Sequence, residues 1–221
     1  VDGKGSYTPD FSDLTSSLTI TLDQTNLVGN IQHTLEIIDA ADPGNINKLN
    51  YSSSFPGILK AIHAGTGNDT FKLNHSRTTT LYGGQGNDTY RLRDGATYSG
   101  LLDGQDGTNT MDFSLYTTAG NVTLTGLGEI GGFKGLGTRL DETAAEYQSG
   151  ERILAFSGFK NLIGGSNNDI FEIWGEQAYN LNGGAGNDTF IFLDNARLNG
   201  NLDGGIGSND LNLANYTQRL A

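Results

Sequence analysis

GGQGNDTYRL, Gly83 to Leu92, and GGAGNDTFIF, Gly183 to Phe192, are the stretches on which the fold is read. Each puts three glycines and an Asn-Asp pair into six residues, then runs into Thr-aromatic-x-apolar. Glycine gives the backbone access to φ > 0 and lets several carbonyls gather on one side of a turn. The Thr-Tyr and Thr-Phe pairs that follow are good strand formers. Side chains alternate along a strand, so Tyr90 and Leu92 face one way, as do Phe190 and Phe192. The local reading is a tight acidic corner that feeds a short strand.

Internal repetition organises these corners. Residues 64–117 and 164–217 align without a gap at an offset of 100, and 21 of the 54 pairs are identical. Within each copy, turns open near Gly65, Gly83 and Asp103, then near Gly165, Gly183 and Asp203, which spaces them 18 to 20 residues apart. One glycine turn per coil, each followed by a short alternating strand, predicts an all-β fold: a right-handed parallel β-solenoid of two tandem 100-residue modules. If the whole chain coils, about eleven coils stack at the interstrand spacing into one elongated domain on the order of 50 Å long. Residues 11–63 and 118–163 read as looser coils with side loops, built around Leu18-Thr-Ile20-Thr-Leu22, Leu35-Glu-Ile37, Val122-Thr-Leu124 and Arg152 to Phe156. DETAAEYQ, Asp141 to Gln148, is the single short helix expected.

GGQGNDTYR and GGAGNDTFI each fit the nine-residue pattern G-G-x-G-x-D-x-U-x throughout, and so resemble the hemolysin-type (RTX) calcium-binding repeats. AGTGNDTFK (Ala64 to Lys72) and GGSNNDIFE (Gly164 to Glu172) are weaker copies. The four together cover less than half of the chain. The resemblance implies Ca²⁺ as the bound ion and Gly65, Gly67, Asp69, Gly83, Gly84, Gly86, Asp88, Gly164, Gly165, Asp169, Gly183, Gly184, Gly186 and Asp188 as the residues of its corners. The third turn of each block, Asp103-Gly-Gln-Asp106-Gly and Asp203-Gly-Gly-Ile-Gly-Ser-Asn-Asp210, adds Asp103, Asp106, Asp203 and Asp210 as candidates, with a residue extra in its spacing. Departures from the family are plain: each coil has one glycine corner, Ala64 replaces a first glycine, and Asn167 replaces a fourth. Roughly one to four ions are expected rather than a full ladder.

The physical case for a cation is electrostatic. Stacked coils set Asp69 beside Asp88 and Asp169 beside Asp188. Two carboxylates about 5 Å apart repel by roughly 3 kcal/mol at an effective dielectric near 20. A hard divalent ion between corners reverses that sign and couples binding to folding. The competing account needs no metal: Asn and Asp side chains cap turns and form hydrogen-bonded ladders.

Bulk composition agrees with many turns and no ordinary globular core. Of 221 residues, 33 are Gly and 35% are hydrophobic, while 9% aromatic content argues against disorder. Twenty-five acids against 13 bases leave a net charge of −12, which disfavours nucleic acid as a partner and favours cations. There is no cysteine for a disulfide framework or thiolate site. No apolar run approaches the length of a membrane helix. The N-terminal VDGKGSYTPDFSDL resembles LDGQDGTNTMDFSLY from Leu102, so the chain starts and stops near the same repeat phase and its open ends are expected to meet neighbouring repeats or subunits.

Other signals read blandly. Gly126-Leu-Gly-Glu-Ile-Gly131 lacks a βαβ context and reads as a glycine turn. His33, His63 and His75 do not cluster, and His63 falls where the other copy has Ile163, a packed position. Glu142, Glu146 and Glu151 read as a solvated acidic loop before they read as paired catalytic acids. Trp174 points outward by alternation. The expected function is a calcium-stabilised structural segment of a large secreted or cell-surface bacterial protein of the RTX type, an adhesin, toxin or surface-layer protein, with surface glycans or a host receptor as further partners. A self-assembling filament or surface-layer subunit and a polysaccharide-active or polysaccharide-binding β-helix module are the alternatives. No catalytic constellation is assigned.

Overall fold

The computed structural model describes residues 6–27, 30–52, 59–75, 79–94, 96, 100–118, 120–127, 133–139 and 152–217. These residues are all-β and form a β-solenoid of about 5 turns, about 21 residues apart. The first module opens with β1 (Leu18–Leu27), β2 (Asn30–Asp39) and β3 (Asp42–Ser52). Three coils follow, each made of two short strands: β4 (Ala61–His63) with β5 (Thr70–Leu73), β6 (Thr80–Tyr82) with β7 (Thr89–Arg93), and β8 (Leu101–Asp103) with β9 (Asn109–Leu115). The second module repeats the plan with β10 (Gly120–Leu127), β11 (Phe133–Arg139) and β12 (Arg152–Ile163), then β13 (Ile170–Ile173), β14 (Glu176–Gln177), β15 (Asn180–Asn182), β16 (Thr189–Phe192), β17 (Arg197–Leu198), β18 (Leu202–Asp203) and β19 (Asp210–Asn212). Asp141 to Gln148 lies outside the described residues, as do Glu142, Glu146, Glu151 and residues 128–131 of the glycine run.

Equivalent strands stack in parallel, in register, along two faces. On one, Ile62 is level with Leu81, Leu81 with Leu102, and Leu102 with Phe156 of β12. On the other, the row runs Ile20, Phe71, Tyr90, Met111 and Leu162. All nine side chains are buried in one core cluster. Alternation causes this: in Thr89-Tyr90-Arg91-Leu92 the second and fourth residues are fully buried while the first and third lie at the surface. Each such Leu, Ile or Phe contributes about 1.5–3 kcal/mol of burial. Aromatic contacts add direction, with Phe71 stacked on Tyr90 at 4.4 Å and Phe171 on Phe190 at 5.2 Å between ring centroids.

The two looser stretches are coil only at their ends, in Ala61 to His63 and Ala155 to Ile163, and are antiparallel meanders over the rest of their described residues. β1, β2 and β3 pair antiparallel, with Ile20 opposite Ile37 and Leu22 opposite Leu35. β10, β11 and β12 do the same. Alternating apolar residues serve a parallel coil and an antiparallel meander equally, so periodicity alone does not separate them. Two meanders in place of coils explain why the solenoid has five turns and not eleven.

β12 joins the modules. Its residues Ala155 to Ser157 continue the β8 face, and Phe159 to Ile163 continue the β9 face. Between them Gly158 takes φ +76 and carries the strand over the corner below. The far end of β12 then pairs with β15, so Leu162 is in register with Met111 on one side and Leu181 on the other.

Candidate functional site

The corners stack, and glycine is what lets them. Gly84 and Gly86 adopt φ +93 and +112; their counterparts Gly184 and Gly186 adopt +92 and +126. A Cβ on Gly84 would lie 2.1 Å from the carbonyl oxygen of Gly65 one coil away. That carbonyl accepts the Gln85 N–H, and Gly84 O accepts the Asp106 N–H, so backbone bonds run from corner to corner. The left-handed residues belong to the second and third corners of each module: Gly65, Gly67 and Asn167 in the first corners do not need the conformation. Asn167 instead donates from Nδ2 to Thr117 O.

Two files of side chains run along this edge. In the outer, exposed file the N–H of Asn87 donates to Asn68 Oδ1 at 2.7 Å, and that of Thr108 donates to Asn87 Oδ1 at 2.8 Å. Asn168, Asn187 and Ser208 repeat the arrangement. In the inner, buried file the direction reverses. Leu18 N–H donates to Asp69 Oδ1, Asp69 N–H to Asp88 Oδ1, and Asp88 N–H to Asn109 Oδ1, at 2.7, 2.8 and 2.8 Å. The second module matches it, with Asp169 N–H on Asp188 Oδ1 and Asp188 N–H on Asn209 Oδ1. The expected neighbours Asp69 with Asp88 and Asp169 with Asp188 are therefore in direct contact through the backbone of one and the carboxylate of the other.

The inner file ends on an amide in both modules. Gly104-Gln-Asp-Gly-Thr-Asn109 and Gly204-Gly-Ile-Gly-Ser-Asn209 are copies of the Gly83 to Asp88 frame with Asn at the sixth place and no extra residue. Lining up the glycines finds them; a search for carboxylates passes over them. Asp103 and Asp203 sit at the strand ends before these corners, where their Oδ1 atoms accept the N–H of Gln105 and Gly205. Asp106 is exposed on its corner, and Asp210 is exposed one residue past Asn209. These four lie off the file that the other acids share.

Electrostatics distinguish the file members. Asp69 Oδ2 accepts the Gly65 N–H and Asp169 Oδ2 the Gly165 N–H. Asp88 Oδ2 and Asp188 Oδ2 are buried with no hydrogen-bond partner. Burial pushes Asp69 up to about 6, against the pull of the Leu18 and Gly65 N–H groups. Burial pushes Asp88 up to about 8, and the Asp69 charge adds to it. Asp188 is raised by burial as well. Asn109 meets the same surroundings without charge: its Nδ2 donates to Gly104 O at 2.6 Å and Gly158 O at 3.0 Å.

The orphaned atoms are carboxylate oxygens, the donor type that a hard cation takes. A Cβ placed on Gly83 would meet Asp88 Oδ2 at 2.2 Å and Gly104 O at 2.8 Å, and one on Gly183 would meet Asp188 Oδ2 at 2.3 Å and Gly204 O at 2.6 Å. One carboxylate oxygen and one carbonyl oxygen thus converge beside each glycine. Calcium takes six to eight oxygens. Among the described residues no three His, Asp or Glu side chains group together, so the remaining oxygens would come from backbone or water.

Elsewhere, His63 stacks on Tyr82 at 4.5 Å, the packed role expected of it, and His75 Nε2 lies 3.1 Å from Asp23 Oδ1. Trp174 is 49% exposed, outward as alternation requires. Among the described residues no helix is long and apolar enough to cross a membrane. No family model matches the chain, and no curated protein and no solved structure matches it either.

Proposed function

We propose that the chain is a calcium-stabilised structural segment of a large secreted or cell-surface protein of the RTX type, with no chemistry of its own. The observation that carries this reading is the pair of orphaned carboxylate oxygens, Asp88 Oδ2 and Asp188 Oδ2, at the two corners that fit the repeat pattern throughout. A buried acid with an uncompensated oxygen costs stability, and a cation at that oxygen supplies the missing interaction. Asp88 and Asp188 would hold the ion, Gly104 O and Gly204 O would add to its shell, and glycine at 83 and 183 makes room for the two carboxylates, whose Oδ2 atoms a Cβ would meet at 2.2 and 2.3 Å. The ion's part is to neutralise charge between layers; the residues' part is to keep the layers in register.

A second reading is favoured by Asn109 and Asn209, which fill the same file position as neutral amides. On that account the inner file is a ladder of hydrogen bonds in which Asp88 is protonated. Thermal melting at pH 7.5 in calcium-stripped buffer and in millimolar calcium separates the two. A rise of several degrees with calcium, lost in Asp88→Asn/Asp188→Asn, supports the first reading. Identical melts leave the ladder standing.

A further inference from the structure

The two modules build the same corners from different side chains. Gln85 N–H donates to Gly65 O as Ala185 N–H does to Gly165 O, and Asp106 N–H donates to Gly84 O as Ile206 N–H does to Gly184 O. Yet His63, Gln85, Gln105 and Asp106 stand where the second module has Ile163, Ala185, Gly205 and Ile206. The corner forms without these polar groups, so stacking does not account for them.

All four meet in one place. With Thr66 they line a cavity of about 310 Å³ on the flank of the first-module corners, enough for a single small molecule. Gln85 and Asp106 are exposed, so solvent reaches it. Gln105 is held at φ +54, a conformation that glycine takes freely, as Gly205 does at +75, and that a residue with a Cβ does not. Its Oε1 accepts the Gly84 N–H at 2.9 Å, the bond that Asn182 Oδ1 makes to Gly184 N–H at 2.8 Å in the second module. That bond fixes the amide plane and leaves Nε2 without a partner among the described residues, as it leaves the side chains of Gln85 and Asp106. The His63 ring is held in place by its stack on Tyr82 at 4.5 Å.

The chemistry of this set selects its ligand. Amides and the Thr66 hydroxyl offer both donors and acceptors, and the Asp106 carboxylate accepts only. A matching ligand carries several groups that each donate and accept. It is not an anion, which Asp106 and a net charge of −12 repel. Ala64 is the one apolar side chain of the lining, too little for a lipid or an aromatic compound. The hydroxyls of a neutral sugar meet these terms. We propose that this cavity binds one hexose unit of a neutral glycan, with Gln85, Gln105 and Asp106 taking its hydroxyls. The site is separate from the cation reading, since none of Asp69, Asp88, Asp169 and Asp188 lines it.

Nuclear magnetic resonance on the isotope-labelled full chain tests it, in millimolar calcium so that the result does not turn on whether the fold needs the ion. The methyl glycosides of glucose, galactose, mannose and N-acetylglucosamine are each titrated to about 50 mM. At least one is expected to shift the backbone amides of Thr66, Gln85, Gln105 and Asp106, with a Kd on the order of 1–10 mM. The double variant Gln85→Ala/Asp106→Ile carries the second module's own residues at those places. It is expected to keep a folded spectrum and to weaken binding at least about tenfold. Gln85→Ala alone, a change at an exposed side chain, serves should the double variant fail to fold, with a weakening of about threefold expected. No shift from any of the four glycosides, shifts that lie away from the cavity, or a folded variant that binds as tightly as the parent would overturn the proposal.

Discussion

The backbone N–H of Asp88 donates to Oδ1 of Asn109 at 2.8 Å, so an amide completes a file that carboxylates begin. The site accepts either chemistry at its sixth place, and the difference between them can be measured. Asp88→Asn would give the side chain an Nδ2 to donate toward the carbonyls of its own corner, as Asn109 does toward Gly104 O. In calcium-stripped buffer near pH 8 we expect a gain on the order of 1–3 kcal/mol, the cost of the orphaned oxygen it removes. Urea denaturation reads this directly. A loss of similar size would mean that the carboxylate itself is needed without metal.

Acidity follows the same groups. Asp88 is raised to about 8 and Asp69 to about 6, both above the ordinary value near 4. A raised acid binds its proton more tightly folded than unfolded. Its contribution is therefore intact below pH of about 4 and is lost as pH climbs through the folded value. Asp112, lowered despite burial by bonds from Ser114 and Arg91, and the exposed Asp94, lowered against a weak desolvation by bonds from Thr117 and Thr118, act only at more acid pH. The melting temperature in divalent-free buffer should fall from pH 5 to 8.5, and calcium should flatten or reverse the slope. A chelated sample that grows more stable over this window would contradict the assignment.

Two glycines with positive φ separate conformation from crowding. Gly84→Ala meets Gly65 O at 2.1 Å as well as an unfavourable φ of +93, whereas Gly175→Ala at φ +64 meets nothing within 4 Å. The second should cost about 1–2 kcal/mol, the penalty of the left-handed region alone. The first should cost clearly more and lower the melting temperature even in saturating calcium. Equal losses would show that the corners are looser than the contact distance implies.

Position in the stack sets the value of an apolar side chain. Phe159, fully buried between Tyr90 and Phe156, should cost about 3–5 kcal/mol when changed to Ala. Leu211→Ala, at an exposed side chain, should stay within about 0.5 kcal/mol. Chemical denaturation at micromolar concentration gives both values.

The corners were legible because glycine, Asn and Asp have few uses that look alike: Gly83 to Asp88 announces a turn, and Thr89 to Leu92 announces which residues point inward. Pairing direction was not. Leu18 to Leu22 and Leu35 to Ile37 alternate just as a coil strand does, and only the contact of Ile20 with Ile37 reveals the meander. Asn109 was hidden for a different reason. Its role is set by the glycine frame around it and not by its own charge, whereas Asp103, Asp106, Asp203 and Asp210 drew attention by charge while lying off the file. A strand at Arg152 to Phe156 was legible by alternation, but not its run on to Ile163 or its service to two faces, since such a strand looks in sequence like any apolar run.

That doubly used strand bears on how the chain would respond to tension. With Leu162 in register with both Met111 and Leu181, the described strands of the two halves share one element, so that neither peels away without disturbing the other. Pulled from its ends, such a chain would be expected to rupture as one unit rather than in two steps.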